Sequence, residues 1–319
     1  MAAKPRILVT RRLPAAVEDR LRSEFDATLS ADDAVLSPAA LAEAWGAYDG
    51  LLTSITEGFD ADLIARPGRV RILSNFAVGV NNIDLAAAKE AGIAVGNTPD
   101  VLTDATAEIA LLLILASLRR MREAEEMLRQ GRWQGFAPTM LLGAGLGGRT
   151  LGIVGMGRIG QAVAKRAEAG FGMKILYFNR SPVTPPVPAE RAATIEEVMA
   201  RADVVSLHIP GGPETRGLIS AALIGRMKPT AHLVNTARGD VVDEPALIAA
   251  LAEGRIAGAG LDVYAAEPEV PEALQALPNV TLLPHIGSAT VETRTAMGML
   301  AVDNLAAFFA GEEMPARVV

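Results

Sequence analysis

Short, wholly apolar runs alternate with longer helical stretches along nearly the whole chain of 319 residues. Strands that are apolar on both faces are typical of parallel sheets covered by helices on both sides. Four such runs precede a long amphipathic helix, predicted over residues 104–130, and six follow it. A final helical stretch, residues 288–310, lies beyond the second series and can pack back on the first. The pattern predicts an α/β fold of two doubly wound, Rossmann-like parallel-sheet domains with a cleft between them.

The predicted strands fall into two series along the chain. The first series is RILVT (6–10), DGLLTS (49–54), VRILSN (70–75) and GIAVGN (92–97), and the second is TLGIVGMG, MKILYFNR, ADVVSLHIP, AHLVNTAR, IAGAGLDV and VTLLPHI.

Composition excludes several classes of protein. A net charge of −7 and a pI near 5.2 argue against a general binder of nucleic acid or anionic membrane. Cysteine is absent, which excludes disulfides, thiolate zinc sites and a cysteine nucleophile, and fits a reducing compartment. The most apolar stretch, IALLLILASL (109–118), is about half as long as a membrane span and predicts a buried helix. No His, Asp and Glu grouping has metal-ligand spacing. We therefore expect a cytoplasmic protein with no metal and no nucleic-acid or membrane partner.

The hexapeptide GMGRIG at residues 155–160 lies between a predicted strand and a predicted helix. In that context Gly155 permits a tight turn, Gly157 lets the backbone approach a pyrophosphate, and Gly160 lets the helix pack close to the strand. The helix begins at Arg158 and Ile159, and its N-terminus faces the phosphates. The motif predicts a dinucleotide site. A purely structural turn in another α/β protein is the alternative.

The residues after the next strand bear on which dinucleotide binds. Enzymes that use NAD usually carry Asp or Glu there, to hold the ribose hydroxyls. This chain has Asn179, Arg180 and Ser181 instead, so no acid at this position repels a 2′-phosphate, and Arg180 can pair with one. A charge-assisted hydrogen bond contributes roughly 1.5–3 kcal/mol. We therefore expect NADP(H), with NAD(H) as the weaker alternative. Arg180 as an ordinary solvated residue is the other interpretation.

Three functional groups follow three predicted strands of the second series. Arg238 follows LVN, Glu267 follows GLDV, and His285 follows TLLP. Open α/β sheets bind ligands at the carboxyl ends of their strands. Each residue alone could be a surface or capping residue, but together they predict one site. Of the other two histidines, His232 begins a strand and is expected only to pack or cap.

The chain resembles the D-isomer-specific 2-hydroxyacid dehydrogenase family over nearly its whole length. Within that family, it is most similar to glyoxylate/hydroxypyruvate reductases of the NADPH-preferring kind. The resemblance rests on seven motifs in order: FAVGVNNID (76–84), NTPDVLTDATAE (97–108), GMGRIG (155–160), LHIPGGPETRGLI (207–219), NTARGDVVDE (235–244), LDVYAAEP (261–268) and PHIGSAT (284–290).

The resemblance implies catalytic roles that the chemistry supports. Reduction of a 2-keto acid delivers a hydride to the keto carbon and a proton to its oxygen. His285 is the implied proton donor, because imidazole titrates near neutral pH. Glu267 beside it would favour the charged imidazolium. Arg238 is implied to hold the substrate carboxylate and to polarise the carbonyl.

The resemblance also implies binding residues and a domain division. For the substrate, it implies the backbone amides of Val78 and Gly79 as a second carboxylate contact, and a side-chain pocket at Leu52, Thr53 and Phe76. For the cofactor, it implies Asp262 near the nicotinamide carboxamide, His208 on the adenosine side, and further contacts from Thr103, Pro210, Thr215, Thr236, Ala237, Arg238, His285 and Gly287. It assigns residues 1–99 and 288–319 to a flavodoxin-like substrate-binding domain and residues 100–287 to the dinucleotide-binding domain. The apolar segment 133–142 is implied to embrace a second subunit, giving a homodimer. A buried loop within one chain is the alternative.

Other activities are compatible with parts of this pattern. Formate dehydrogenases usually carry Gln where Glu267 stands, so Glu267 argues against that activity. Phosphite oxidation is harder to exclude. Phosphoglycerate dehydrogenases usually keep the acid that selects NAD, and their long versions add a regulatory domain. Outside the enzymes, an NADP-sensing binding protein similar to transcriptional co-repressors is the remaining alternative.

Overall fold

The computed structural model describes residues 3–319 and divides into two compact units. Unit 1 extends to Leu102 and includes Ser288–Val319, and unit 2 is Thr103–Gly287.

Unit 1 is built on a five-stranded parallel sheet in the order β2-β1-β3-β4-β5. Its strands are β1 (Arg6–Val9), β2 (Asp26–Thr28), β3 (Gly50–Thr53), β4 (Ile72–Asn75) and β5 (Ala94–Gly96). Its helices are α1 (Ala15–Glu24), α2 (Pro38–Ala47), α3 (Ala61–Ile64), α4 (Leu85–Glu90) and, from the end of the chain, α12 (Val291–Ala310). Helix α12 packs on α1 and β4, so the last helix does return to the first sheet.

Unit 2 is built on a seven-stranded parallel sheet in the order β12-β11-β10-β9-β6-β7-β8. Its strands are β6 (Thr150–Val154), β7 (Lys174–Phe178), β8 (Ala189–Arg191), β9 (Val204–Leu207), β10 (His232–Asn235), β11 (Gly258–Leu261) and β12 (Val280–Leu282). Its helices are α5 (Thr103–Leu118), α6 (Met121–Arg129), α7 (Arg158–Phe171), α8 (Ile195–Arg201), α9 (Ala221–Ile224), α10 (Glu244–Ala252) and α11 (Glu272–Ala276), with a short 3₁₀ turn at Gly239–Val241.

Alternation of side chains across β6 explains why the strands of unit 2 are wholly apolar. Leu151 and Ile153 are buried on the face covered by α5 and α7, and Val154 is buried on the other face. On that second face, a Cβ added at Gly152 would lie 2.6 Å from Val198 of α8. Both faces are therefore closely packed by helices, which is the arrangement the apolar runs predicted. The predicted fold class, two doubly wound parallel sheets, is confirmed.

The predicted single helix over residues 104–130 is wrong in one respect: it is two helices. Helix α5 ends at Leu118, Arg120 has a left-handed φ of 53°, and α6 begins at Met121. In a continuous helix the Leu118 carbonyl would accept from the N–H four residues later. Here it accepts from the Ala144 N–H at 2.9 Å. A long-range bond thus ends α5, and sequence periodicity carries no sign of it.

The apolar stretch at residues 109–118 lies within α5, whose side chains are mostly buried, as predicted. None of the helices formed by residues 3–319 combines the length and hydrophobicity of a membrane span.

Candidate active site

The GMGRIG loop connects β6 to α7 and leaves almost no room for side chains at two of its glycines. Gly155 has a φ of 97°, and a Cβ there would lie 2.6 Å from the His208 carbonyl oxygen. A Cβ at Gly160 would lie 2.2 Å from the Gly155 carbonyl oxygen. Helix and strand therefore approach as closely as the sequence motif predicted.

Gly157 differs from these two glycines because a Cβ at its position would point into open space. It caps α7, which is 14 residues long, so the N-terminus of the helix and the positive end of its dipole adjoin that space. Thr236, another of the predicted cofactor contacts, follows β10. Its hydroxyl is buried and has no hydrogen-bond partner among residues 3–319. These features fit the phosphates and polar edges of a dinucleotide.

Asn179 braces the glycine loop from the end of β7. Its Oδ1 accepts from the Met156 N–H at 2.9 Å, and its Nδ2 donates to the Ser181 carbonyl at 2.9 Å. The side chain that replaces the usual acid is thus held by the protein itself.

Arg180, the next residue, forms an ion pair with Glu214. The two atoms Nη1 and Oε2 are 2.9 Å apart, and the side chains are 86% and 81% exposed. The strand end itself carries no acid, but the loop after β9 brings a carboxylate to Arg180 from 34 residues further along the chain, which the sequence analysis did not anticipate. Such exposed pairs contribute only about 0.2–1 kcal/mol, so Glu214 is a weak competitor for Arg180.

The loop after β9 holds three more of the predicted cofactor residues. His208 Nε2 lies 2.8 Å from the Ser206 hydroxyl, and burial lowers the pKa of His208 to about 4. The Thr215 hydroxyl donates to the Pro210 carbonyl at 2.7 Å. His208 is therefore neutral near pH 7, which suits a lining residue better than a proton donor.

Arg238, Glu267 and His285 follow β10, β11 and β12, three neighbouring strands of one sheet. A Cβ at Gly239 would lie 1.9 Å from the Tyr264 carbonyl carbon, so only glycine lets the loop after β10 pack against the loop after β11. The structure brings the three predicted catalytic residues to the same edge of the sheet.

His285 and Glu267 are in direct contact. The His285 Nδ1 and Glu267 Oε2 atoms are 2.7 Å apart, and the other carboxylate oxygen accepts from the Tyr264 N–H at 3.0 Å. Burial raises the pKa of Glu267, but the His285 hydrogen bond, the Tyr264 N–H and the charges of His285 and Arg238 together hold that pKa below its usual value. Glu267 is therefore an anion near pH 7.

Arg238 is partly buried, in a loop that Asn235 braces. The Asn235 side chain donates to the Arg238 carbonyl at 2.8 Å and accepts from the Ala237 N–H at 3.0 Å. Burial lowers the pKa of Arg238, while the carboxylates of Glu267 and Asp240 oppose that shift. The guanidinium is a fixed positive charge in a partly desolvated position, which strengthens its attraction for an anionic ligand.

Asp262 is buried and binds the backbone beside His285. Its Oδ1 accepts from the Ile286 N–H at 2.8 Å, and it also receives a hydrogen bond from the Gly287 N–H. Burial raises the pKa of Asp262, and these hydrogen bonds oppose the rise. The contact to the turn that carries His285 was missed by the sequence reasoning, which placed Asp262 only near the nicotinamide.

In unit 1, the loop after β4 has two peptide groups of fixed direction. The Ala77 carbonyl accepts from the Thr98 N–H at 2.8 Å, and the Val78 carbonyl accepts from the Asn97 side chain at 2.8 Å. Because the carbonyl and N–H of one trans peptide point in opposite directions, these bonds also fix the Val78 and Gly79 N–H groups. Leu52 is buried at the end of β3.

Three further predicted cofactor contacts lie at the ends of elements or units. Thr103 begins α5, Ala237 follows β10, and Gly287 ends unit 2. His232 is buried with its Nδ1 2.7 Å from the Ser117 hydroxyl, which confirms the predicted packing role. Across residues 3–319, no group of three His, Asp or Glu side chains is arranged to hold a metal ion.

Comparison with known proteins decides the family. The family described as "D-isomer specific 2-hydroxyacid dehydrogenase, NAD binding domain" matches residues 111–287, more than half of the chain. A glyoxylate reductase of Thermococcus onnurineus is 45% identical over 322 residues, covering 99% of this chain and 96% of that protein. The chain belongs to the D-isomer-specific 2-hydroxyacid dehydrogenases. The resemblance read from the motifs is confirmed, and the protein is an oxidoreductase that uses a nicotinamide cofactor on small 2-keto or 2-hydroxy acids.

Two solved structures show the range of this family. An NADPH-dependent glyoxylate/hydroxypyruvate reductase of Sinorhizobium meliloti, in complex with NADP and malonate, is 39% identical with a TM-score of 0.86, and the match covers 99% of this chain and 97% of that one. The D-mandelate dehydrogenase of Rhodotorula graminis is 29% identical with a TM-score of 0.85, covering 99% and 98%. One fold therefore serves acids with different side chains, and the side-chain preference has to be argued separately.

Proposed function

We propose that this dehydrogenase reduces glyoxylate or hydroxypyruvate to the 2-hydroxy acid, the D form where the product is chiral, with NADPH as the preferred donor. The observation that carries the proposal is the contact of 2.7 Å between His285 and Glu267 beside Arg238, at the carboxyl ends of three adjacent strands. Similarity supports the substrate, since the relative from Thermococcus onnurineus is a glyoxylate reductase.

Each of the three residues has one step in the proposed mechanism. Bound NADPH supplies the hydride that reduces the keto carbon. Arg238 holds the substrate carboxylate, and its positive charge polarises the carbonyl group. His285 donates a proton to the keto oxygen, and the anionic Glu267 stabilises the imidazolium before that transfer. The Val78 and Gly79 amides, whose directions are fixed, are the proposed second contact for the carboxylate.

The preference for NADP(H) rests on the strand end after β7. Asn179 is committed to the glycine loop, so Arg180 and Ser181 are the groups there that can reach a 2′-phosphate. We also propose that unit 2 binds the dinucleotide and that Leu52, Val78 and Gly79 of unit 1 bind the substrate. The remaining cofactor contacts, including Thr103, His208, Thr236, Asp262 and Gly287, keep their proposed roles.

We further propose a homodimer formed through residues 133–142. Trp133, Phe136 and Leu142 are 53%, 86% and 65% exposed, and preceding Leu128 in α6 is 62% exposed. Exposed apolar patches of this kind mark interaction surfaces, and a buried loop within one chain does not fit them. A cytoplasmic location is proposed on the cysteine-free composition.

Initial rates of NADPH and NADH oxidation with glyoxylate, hydroxypyruvate, pyruvate and 2-ketoisocaproate test the proposal. We expect fast NADPH turnover on the first two acids. In Arg180→Ala, the ratio of the NADH and NADPH KM values should move toward one, and an unchanged ratio would remove Arg180 from the site. If none of the four acids is turned over, phosphite oxidation becomes the activity to test. If phosphite is not oxidised and the protein still binds NADPH tightly, the result would support a nucleotide-sensing protein.

A further inference from the structure

Arg191 lies at the end of β8, the edge strand beside β7. The two strands are parallel, and Arg191 stands opposite Tyr177. Its side chain therefore reaches the same edge of the sheet as residues 179–181. Its Nη2 donates to the Asn179 carbonyl oxygen at 3.2 Å, which places the guanidinium beside the backbone of the proposed 2′-phosphate site.

The charges around this strand end are unequally compensated. Arg180 is paired with the Glu214 carboxylate at 2.9 Å. The carboxylate of Glu190, next to Arg191 in sequence, is held by Arg201 at 2.7 Å. Arg191, in contrast, donates to a neutral carbonyl group, and that bond leaves its positive charge uncompensated. Of the two arginines, Arg191 is therefore the one whose positive charge is less shared with a carboxylate.

We propose that Arg191 is a second guanidinium of the 2′-phosphate site, beside Arg180. The inference rests on the proposed NADP(H) preference and adds a residue to it. A phosphate dianion facing Arg180 alone would meet a charge that Glu214 already shares. A second guanidinium supplies the missing charge, and its planar donors can bind a phosphate oxygen while one N–H stays on the Asn179 carbonyl.

Binding of nucleotide fragments tests Arg191 without any catalytic step. Calorimetric titration of the full-length protein would compare 2′,5′-ADP, which carries the 2′-phosphate, with ADP, which lacks it. We expect Arg191→Gln to weaken the binding of 2′,5′-ADP about tenfold and to leave the binding of ADP unchanged, because one charge-assisted hydrogen bond is lost. Arg191→Lys should keep part of the affinity. Arg255→Gln is the matched control, since Arg255 is an exposed arginine paired with Glu253 elsewhere in unit 2.

The possible results distinguish a role of Arg191 from the NADP(H) preference on which it depends. If the parent protein binds 2′,5′-ADP no more tightly than ADP, the NADP(H) preference fails and the inference fails with it. If the parent discriminates between them and Arg191→Gln discriminates equally well, the preference stands and Arg191 has no part in it. Equal weakening of both nucleotides in Arg191→Gln would also overturn the inference, since it would indicate a general disturbance of the adenosine site.

Discussion

The Nδ1 atom of His285 is 2.7 Å from Oε2 of Glu267, so the carboxylate contacts Nδ1 and the Nε2 atom remains for another partner. Glu267 is anionic, since its hydrogen bonds and nearby positive charges lower its pKa despite burial. A fixed anion at this distance stabilises the protonated ring relative to the neutral ring. The same contact fixes the orientation of the ring, because Nδ1 is the ring nitrogen that faces the carboxylate.

Glu267→Gln should lower kcat/KM for keto-acid reduction about tenfold. The amide keeps the size of the side chain but no longer carries the charge that stabilises the imidazolium, and a hydrogen bond to a charged group contributes roughly 1.5–3 kcal/mol. The measurement is kcat/KM for glyoxylate in the variant and the parent. Equal values in the two proteins would exclude Glu267 from this role.

Asn97→Ala should raise KM for the keto acid about two- to tenfold and leave KM for NADPH unchanged. The Asn97 side chain holds the Val78 carbonyl at 2.8 Å and thereby the direction of the Gly79 N–H. Asn97 is itself anchored, because the buried Asn304 side chain donates to its carbonyl at 3.0 Å. Loss of one ordering hydrogen bond corresponds to about 0.5–1.5 kcal/mol, which is about two- to tenfold in KM.

Steady-state kinetics with both substrates varied would measure the Asn97 effect. Asn279→Ala is the matched control, since Asn279 also donates to backbone carbonyls, those of Leu251 and Ala257 in unit 2. If both variants raise the keto-acid KM equally, or if the NADPH KM rises in parallel, Asn97 does not act on the substrate contact.

Glu214→Gln should lower KM for NADPH about two- to fivefold and leave KM for NADH unchanged. The change frees Arg180 from its ion pair and removes a negative charge near the proposed phosphate position, and an exposed pair of this kind contributes about 0.2–1 kcal/mol. Glu253→Gln, which breaks the exposed pair with Arg255, is the control. A higher KM for NADPH in Glu214→Gln would show instead that Glu214 orients Arg180 for binding.

The apolar strands and the glycine loop were predictable because local rules determine them. Two short strands were missed: β2 (Asp26–Thr28) and β8 (Ala189–Arg191) have three residues each, carry charged side chains and leave one edge unpaired. A pattern of apolar residues cannot detect strands that are only partly covered. Arg191 ends β8, so the apolar pattern gives no sign of its place beside residues 179–181 either.

The candidate site was predictable in its residues but not in all of its contacts. Arg238, Glu267 and His285 could be found because strand ends of a parallel sheet meet at one edge. Asp262 and Glu214 reach their partners through turns whose course depends on the folded loops: Asp262 contacts Ile286, and Glu214 contacts Arg180. Such contacts are set by tertiary structure, so spacing along the chain gives no sign of them.

Phe136→Asp should convert the proposed dimer to monomers. Phe136 is 86% exposed within one chain, and a carboxylate placed in an apolar interface would lose its hydration without gaining a partner. Sedimentation velocity of the variant and the parent would report the mass of each. Val35→Asp is the control, an exposed apolar residue of unit 1 outside the segment. A parent that sediments as a monomer, or a Phe136→Asp variant that remains a dimer, would contradict the assignment of this surface.

His232→Gln should make the protein less sensitive to acid. His232 is buried against Ser117, and burial lowers its folded-state pKa to about 4, below the value near 6.5 expected when unfolded. As the pH falls from 6.5 to 4, the unfolded chain takes up the proton first, so stability is lost across that window by up to about 1.4 kcal/mol per pH unit. Glutamine does not titrate, and His208 is left in place in both proteins. Thermal unfolding at pH 7.5, 6.0 and 5.0 should therefore show Tm falling less in the variant than in the parent, whereas parallel decreases would mean that His232 is not the titrating group.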